Sequence, residues 1–387
     1  MKSQKNPKRF FTYGYVNELL NKHAEKISTD DESKGKLISG MSLDCARRYY
    51  PVQTIKQLID TLAGNHHSFL QLHLSDDQNV GVECALLGQT VKTSELLSDG
   101  SYRNPHTMKQ FLSAAQIKDI IQYARERNVD IIPEIDAPAH MEGFFTLAEA
   151  VYGSDYVNTL AYSRRDYPGE LNISSPKAIH FVEQLYDEYA SLFNTNRYFN
   201  TGRYFHIGCD EHFSGSAADK ISYIMRISSY MKDKGFRVRM WNDLLTKSDI
   251  YKLDKSIQVT YWSWDGDAQD ENVRAARQEE RATVADLQAE GLDILIYNSY
   301  YLYYVPSHRN FNQHDMDYTV NDLRENWTVR NWYKNSGLSL ESLEHIIGSA
   351  VSLWSEDSGG LPTDKIIAQF IRHYRAMEWV NNREEIE

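Results

Sequence analysis

The stretch Phe205-His206-Ile207-Gly208-Cys209-Asp210-Glu211 is an apolar, β-prone run that ends in two adjacent carboxylates. Successive strand residues face opposite ways. Two acids that serve one pocket must therefore sit at the strand tip, where the chain turns. Two neighbouring anions repel, which raises the pKa of one and can hold it protonated near neutral pH. An acid that donates a proton beside one that stays charged is the equipment of glycoside hydrolysis. Taken alone, an Asp-Glu pair is more commonly the acidic cap of a following helix, so the surrounding pattern has to decide.

Working outward, eight apolar strand-like runs recur, at 37–44, 68–75, 130–135, 204–209, 237–241, 258–262, 292–297 and 346–353. Helical periodicity fills most of the gaps, at 53–62, 114–127, 178–193, 221–234, 283–290 and 365–380. Eight strand-then-helix units predict an α/β fold, a single (β/α)8 TIM barrel over 37–387 with long loops at its C-terminal face. A doubly wound sheet is the alternative, but no Gly-rich phosphate turn follows the first run. Residues 1–36 are polar and read as an N-terminal arm with a short helical pattern at 15–27. Segments 77–112 and 304–320 read as extended loops. In a barrel the C-terminal strand ends form the active face, and each of the eight runs here ends in polar or aromatic residues.

Composition narrows the function. With 41% hydrophobic residues, the 387-residue chain has ample material for a core. A formal net charge of −12 argues against a nucleic-acid partner and suits a neutral or cationic substrate. The 26 Tyr, 14 Phe and 7 Trp supply flat rings of the kind sugars stack on, although a core uses them too. The three cysteines, Cys45, Cys84 and Cys209, match no metal spacing and read as buried thiols. No run of about 18 apolar residues predicts a membrane span. The start lacks an apolar leader core, which fits either a cytoplasmic protein or one whose leader was removed.

Six motifs carry a resemblance: LHLSDD at 72–77, PEIDAPAH at 133–140, HIGCDE at 206–211, RMWND at 239–243, TYWSWDGD at 260–267 and LWSED at 353–357. In that order they resemble the family 20 glycoside hydrolases, the β-N-acetylhexosaminidases. LDCARRYY, TYWSWDGDAQD and YNSYYLYYVP narrow the likeness to the dispersin B group, single-domain members that cut poly-β-1,6-N-acetylglucosamine of biofilm matrix. The resemblance implies substrate-assisted catalysis without a cofactor or metal. Glu211 would be the general acid and then base, with a pKa raised in part by its neighbour. Asp210 would orient the 2-acetamido group. Tyr303 would donate to the acetamido oxygen, and Trp241, Trp262 and Trp354 would wall in its methyl group. Arg47 and Glu356 would hold hydroxyls of the terminal sugar, and Asp267 would do so too or contact the adjoining sugar. Asp136 and His140 would form a His–carboxylate pair that positions Glu211, and Asp76 would pair with Arg47. The chain departs from the family pattern at Cys209, where many relatives have glycine, and at Ser214, near which the dispersin group has tyrosine.

The expected partner is an oligo- or polysaccharide containing N-acetylglucosamine. By resemblance the protein is secreted or held at the cell surface. Three rivals remain: a general exo-hexosaminidase acting on chitin fragments or glycans, a catalytically silent sugar-binding barrel, and a metal hydrolase built on His140 and Asp136.

Overall fold

The computed structural model describes residues 36–65, 68–194 and 203–383. Residues 1–35 of the expected arm, with its helical pattern, lie outside the described residues. Eight strands form the barrel: β1 (Ile38–Asp44), β2 (Phe69–His73), β3 (Asp130–Ala137), β4 (Tyr204–Gly208), β5 (Arg237–Trp241), β6 (Gln258–Tyr261), β7 (Asp293–Ile296) and β8 (Ile346–Leu353). Every neighbouring pair is parallel, and β8 pairs back onto β1 from Ile38↔Gly348 to Leu43↔Leu353. Closure removes both sheet edges and excludes the doubly wound alternative. The strands are covered on both faces, which is why they read as nearly continuous apolar runs.

Those two faces feed two cores. Phe69, Ile132, Tyr204, Trp241, Trp262, Leu295, Tyr297 and Ala350 fill the barrel interior. A larger layer, including Leu43, Ile55, Ile117, Phe205 and Phe370, lies between the strands and the helices.

Among the described residues, the helices that cover the barrel include α1 (Val52–Leu62), α2 (Ala114–Arg125), α3 (Pro176–Phe193), α4 (Ala217–Asp233), α5 (Val284–Ala289), α6 (Gln313–Asn326) and α7 (Thr363–Asn381). Reciprocal Ser113–Gln116, Ser216–Asp219 and Thr283–Asp286 caps open α2, α4 and α5, satisfying donors that a helix start leaves free. Between β5 and β6 the covering helix is reduced to one 3-10 turn, Ile250–Lys252.

Two loop expectations are corrected. Segment 304–320 is not an extended loop, because α6 begins within it, capped by Asn312. This helix buries only Val320 and Leu323, so its apolar period is too sparse to read. Segment 77–112 is organised as well. It carries a three-stranded antiparallel sheet of Glu95–Leu96, Tyr102–Arg103 and Gln110–Phe111.

One detour shapes the barrel mouth. β7 pairs with the first half of β8, up to Ile296↔Ser349. The chain then makes one helical turn, Ser299–Leu302, and returns to pair Tyr303 and Tyr304 with Ser352 and Leu353. Tyr303 is thereby delivered to the rim beside Trp354.

Candidate active site

At the end of β4 the backbone turns left-handed at Gly208 (φ 74°), Cys209 (φ 75°) and Glu211 (φ 45°). A Cβ on Gly208 would fall 1.7 Å from Asp136 Oδ1, so only glycine fits there. Cys209 continues the ladder by donating its N–H to Ala137 O at 3.0 Å, and its thiol is fully buried. Left-handed geometry at a non-glycine residue costs about 1–2 kcal/mol, and strain of this kind clusters at functional sites. The turn breaks strand alternation and aims both acids at one cavity.

That cavity, about 570 Å³ including the part open to solvent, is lined by Arg47, His73, Asp76, His140, Asp210, Glu211, Trp262, Tyr303, Val305, Trp354 and Glu356. Trp262 and Tyr303 lie parallel with centroids 6.0 Å apart, and Tyr303 meets Trp354 at 5.6 Å. Beneath them Trp241, only 1% exposed, sits 6.1 Å from Trp354 and edge-on to Tyr297 at 5.1 Å. Trp262, Tyr303 and Trp354 line the cavity as expected, whereas Trp241 packs behind Trp354 and does not line it. Arg47 donates to Asp76 at 2.7 Å and to Asp44 at 3.3 Å, and its guanidinium stands 5.6 Å from the Trp354 ring. The expected Arg47–Asp76 pair therefore forms, and Glu356 faces the same cavity. Asp267 does not line it. Its Oδ1 accepts from the Ser263 hydroxyl at 2.9 Å and lies 3.4 Å from Lys334 Nζ.

His140 has a different partner from the one expected. Its Nδ1 lies 3.2 Å from Asp77 Oδ2, and its Nε2 lies 3.4 Å from Glu211 Oε2 and 3.8 Å from Asp210 Oδ2. The carboxylate behind the imidazole is Asp77, presented by the hairpin after β2. Asp136 is fully buried on β3, and neither of its carboxylate oxygens has a hydrogen-bond partner. Burial and the charge of Asp210 push its pKa well above the usual range.

The charge states also correct the first expectation. Glu211 is held below the ordinary glutamate value, chiefly by the hydrogen bond from His140. Burial lifts Asp210 up to about 7, with the charges of Asp243 and Glu211 adding to the rise. Burial alone would discharge His140, but hydrogen bonds to Asp77 and Glu211 and the charges of Asp210 and Asp136 raise it well above 6.5. Burial thus raises Asp210 while the imidazole beside Glu211 lowers that acid, the reverse of the expected order. One buried oxygen of Asp210, Oδ1, has no protein partner.

Several working residues escaped the sequence reading. Asp243 accepts the Glu211 backbone N–H at 3.2 Å and the Trp262 indole N–H at 2.5 Å, tying the acid's backbone to the pocket wall. Asn242 accepts from Trp262 N at 3.0 Å and donates to Ser263 O at 2.7 Å. Glu134 sits at the barrel centre, accepting from Trp241 Nε1 at 2.7 Å and Gln71 Nε2 at 2.8 Å, with His73 Nδ1 at 3.2 Å. His73 Nε2 in turn reaches Asp76 at 3.0 Å. One buried chain of bonds thus runs from Trp241 to the Arg47 clamp. Its signal was present, since Gln71 and His73 on β2, and Glu134 and Asp136 on β3, are polar at alternate positions of otherwise apolar runs.

Among the described residues, three groups place potential ligand atoms within 4.8 Å of one another: His73/Glu134/Asp136, Asp76/Asp77/His140 and Asp136/His140/Asp210. In each, a histidine nitrogen already faces a carboxylate at hydrogen-bond or ion-pair distance.

Comparison with known proteins agrees with this geometry. The profile of the glycosyl hydrolase family 20 catalytic domain matches residues 39–222 and 214–361. Among solved structures, the chain is similar to dispersin B at 35% identity and a TM-score of 0.83, covering 89% of this chain and 99% of that one. It is similar to a lacto-N-biosidase of Bifidobacterium bifidum, 26% identical over 294 residues, covering 69% of this chain and 23% of that protein. A probable beta-hexosaminidase of Arthroderma benhamiae is 23% identical over 369 residues, covering 84% of this chain. The chain spans 56% of that second protein, so in both cases it is well short of the relative's full length.

Proposed function

Because the chain belongs to glycosyl hydrolase family 20, we propose that it is a retaining β-N-acetylhexosaminidase in which the substrate's own acetamido group is the nucleophile. The observation that carries this reading is the turn after β4. It brings Asp210 and Glu211 to a cavity that Trp262, Trp354 and Tyr303 also line.

In the first step the acetamido carbonyl oxygen forms a bond to the anomeric carbon. The glycosidic C–O bond breaks, its electron pair leaves on the aglycone oxygen, and Glu211 supplies the proton. Asp210 accepts the acetamido N–H and stabilises the oxazolinium charge as it develops. The Tyr303 hydroxyl donates to the acetamido oxygen, and the tryptophans exclude water around the methyl group. In the second step water gives a proton to Glu211 and adds to the anomeric carbon. The bond to the acetamido oxygen breaks, and two inversions return the original configuration. Arg47 and Glu356 hold the hydroxyls of the terminal sugar.

The charges on the two acids set a condition. Glu211 must gain a proton and Asp210 lose one before the first step. An acetamido N–H meeting Asp210 favours its anion, and a sugar covering Glu211 desolvates that acid. Binding itself thus favours the proton on the working residue.

The finer reading is cleavage of poly-β-1,6-N-acetylglucosamine by a secreted or surface-held enzyme. Its support is the motif likeness to the dispersin B group, the similarity in fold, and the net charge of −12, which attracts a partly deacetylated cationic polymer. The test is hydrolysis of nitrophenyl N-acetyl-β-glucosaminide, the matching glucoside, and β-1,6- and β-1,4-linked oligomers, by wild type and Glu211→Gln. Preference for the β-1,6 oligomer with retained configuration is expected. Comparable turnover of the glucoside would refute acetamido participation, and preference for the β-1,4 oligomer would favour a general exo-hexosaminidase.

A further inference from the structure

Tyr303 reaches the cavity by a detour that the local chain cannot fix by itself. The helical turn Ser299–Leu302 has four residues, far too few to be stable alone. Yet that turn decides where the next residue, Tyr303, stands, so something outside it has to hold it.

Asn298 does so from the end of β7, and it is fully buried. Its Oδ1 accepts the backbone N–H groups of Tyr300 at 3.0 Å and Tyr301 at 3.3 Å, at the start of the turn. Its Nδ2 donates to the backbone carbonyls of Asn331 at 2.7 Å and Lys334 at 2.9 Å. A side-chain amide offers two donors and two acceptor positions, and here all of them meet backbone groups. A buried polar group satisfied this fully specifies one geometry, since any displacement strands several partners at once.

The second segment is itself fastened. Trp332 is buried and packs edge-on against Tyr261 at 5.5 Å. The Tyr333 hydroxyl donates to Asp265 Oδ2 at 2.6 Å, and Lys334 Nζ donates to the same oxygen at 3.1 Å. Residues 331–334 thus form a strap fixed to the loop after β6, and Asn298 joins that strap to the turn. The same loop begins at Trp262, which lies parallel to Tyr303 and whose carbonyl accepts the Ser299 N–H at 3.0 Å. Asn298 therefore registers Tyr303 against the ring it stacks on. The far end of the detour keeps its own ties, with Trp354 N donating to Tyr304 O at 3.0 Å and His373 Nε2 2.7 Å from Tyr301 O. Loss of the amide would loosen the turn without releasing it.

Resting on the hexosaminidase reading, we propose that Asn298 is the positioning residue for Tyr303. It does not line the cavity, so it acts through the residue it places. Its bonds hold the Tyr303 hydroxyl where it meets the acetamido oxygen, which keeps that oxygen aligned with the anomeric carbon before the bond forms. A shift of about 1 Å in such alignment can cost about a hundredfold in rate.

The test is a double-mutant cycle on hydrolysis of nitrophenyl N-acetyl-β-glucosaminide by wild type, Asn298→Ala, Tyr303→Phe and the double variant. Asn298→Ala is expected to lower kcat about tenfold and to leave KM within about threefold. In the Tyr303→Phe background the same change should cost less than about threefold, because the hydroxyl it places is already gone. Asn298→Asp keeps acceptors for the turn but sets a carboxylate oxygen against the strap carbonyls. It should lose kcat several-fold with the same coupling, and it carries the cycle where Asn298→Ala does not fold. Equal losses in both backgrounds, or an Asn298→Asp enzyme with wild-type kcat, overturn the positioning role. Tyr303→Phe with wild-type kcat overturns it as well, by removing the part given to Tyr303. A wild type that releases no nitrophenol overturns the hexosaminidase reading itself.

Discussion

Replacing Glu134 by glutamine tests whether the polar chain beneath the pocket works as one unit. Glu134 is fully buried, and its neighbours hold its pKa down at about 2 against the cost of burial, so it is an anion at any working pH. Its two oxygens serve the Trp241 indole, the Gln71 amide and the His73 ring. Glutamine keeps the shape but turns one oxygen into a donor. If the remaining oxygen faces Trp241 and His73, the new NH2 meets Gln71. That amide can flip to accept, because its other partner, the Tyr297 hydroxyl 3.0 Å away, can accept instead. The geometry can therefore be rescued, but the charge cannot. Two hydrogen bonds and one ion-pair contact change from a charged to a neutral partner, at about 1 kcal/mol apiece, and His73 loses the anion that does most to keep it protonated. The expected loss is about 3 kcal/mol, at the lower edge of what breaking a buried ion pair costs. Urea denaturation should show a lowered midpoint at unchanged slope. Because Trp241 and, through His73 and Asp76, Arg47 are held more weakly, kcat/KM should fall about tenfold, together with weaker discrimination between N-acetyl and N-propionyl substrates. A stability change under about 0.5 kcal/mol with unaltered acyl selectivity would refute the idea of an ionised hub.

His140→Ala removes the group that lowers both acids, so both limbs of the kcat/KM–pH profile should shift to higher pH. A profile shifted to lower pH contradicts that geometry. Stability gives a second pH test. The folded value of Asp210 is raised from 3.8 to about 7, so its contribution is fully present below pH 3.8 and is lost as pH rises through about 7. Asp210→Asn should accordingly gain stability relative to wild type between pH 5 and pH 8, by roughly up to 4 kcal/mol, and equal urea midpoints across that range would count against a raised carboxyl. At Cys209, glycine should change stability by less than about 1 kcal/mol, since relief at φ 75° offsets the lost thiol contacts and added chain entropy. Valine, β-branched and left-handed, should cost at least about 2 kcal/mol, and a fully stable Cys209→Val would show that the turn relaxes.

Reading this chain succeeded where the physics is local and failed where it is not. The strands were legible because parallel barrel strands are buried on both faces, and α2 was legible because Ile117, Ile120, Ile121 and Ala124 repeat on one side. Helix α6 was missed because Val320 and Leu323 are its only buried residues. His140 was assigned to Asp136, its near neighbour in sequence, whereas a hairpin after β2 brings Asp77 to it. Asp243 and Glu134 went unassigned because their partners lie on other strands.

The order of apolar runs and the polar residues that end them were enough to specify a barrel and to mark Asp210 and Glu211 at its mouth. Both features are properties of short segments, set by backbone periodicity and by which residues a strand can bury. Which acid has the raised pKa was decided by folding alone. That outcome depends on the desolvation of Asp210 and on the approach of a cationic His140 to Glu211. Charge–charge energies follow distance in space, and only chain closure sets those distances.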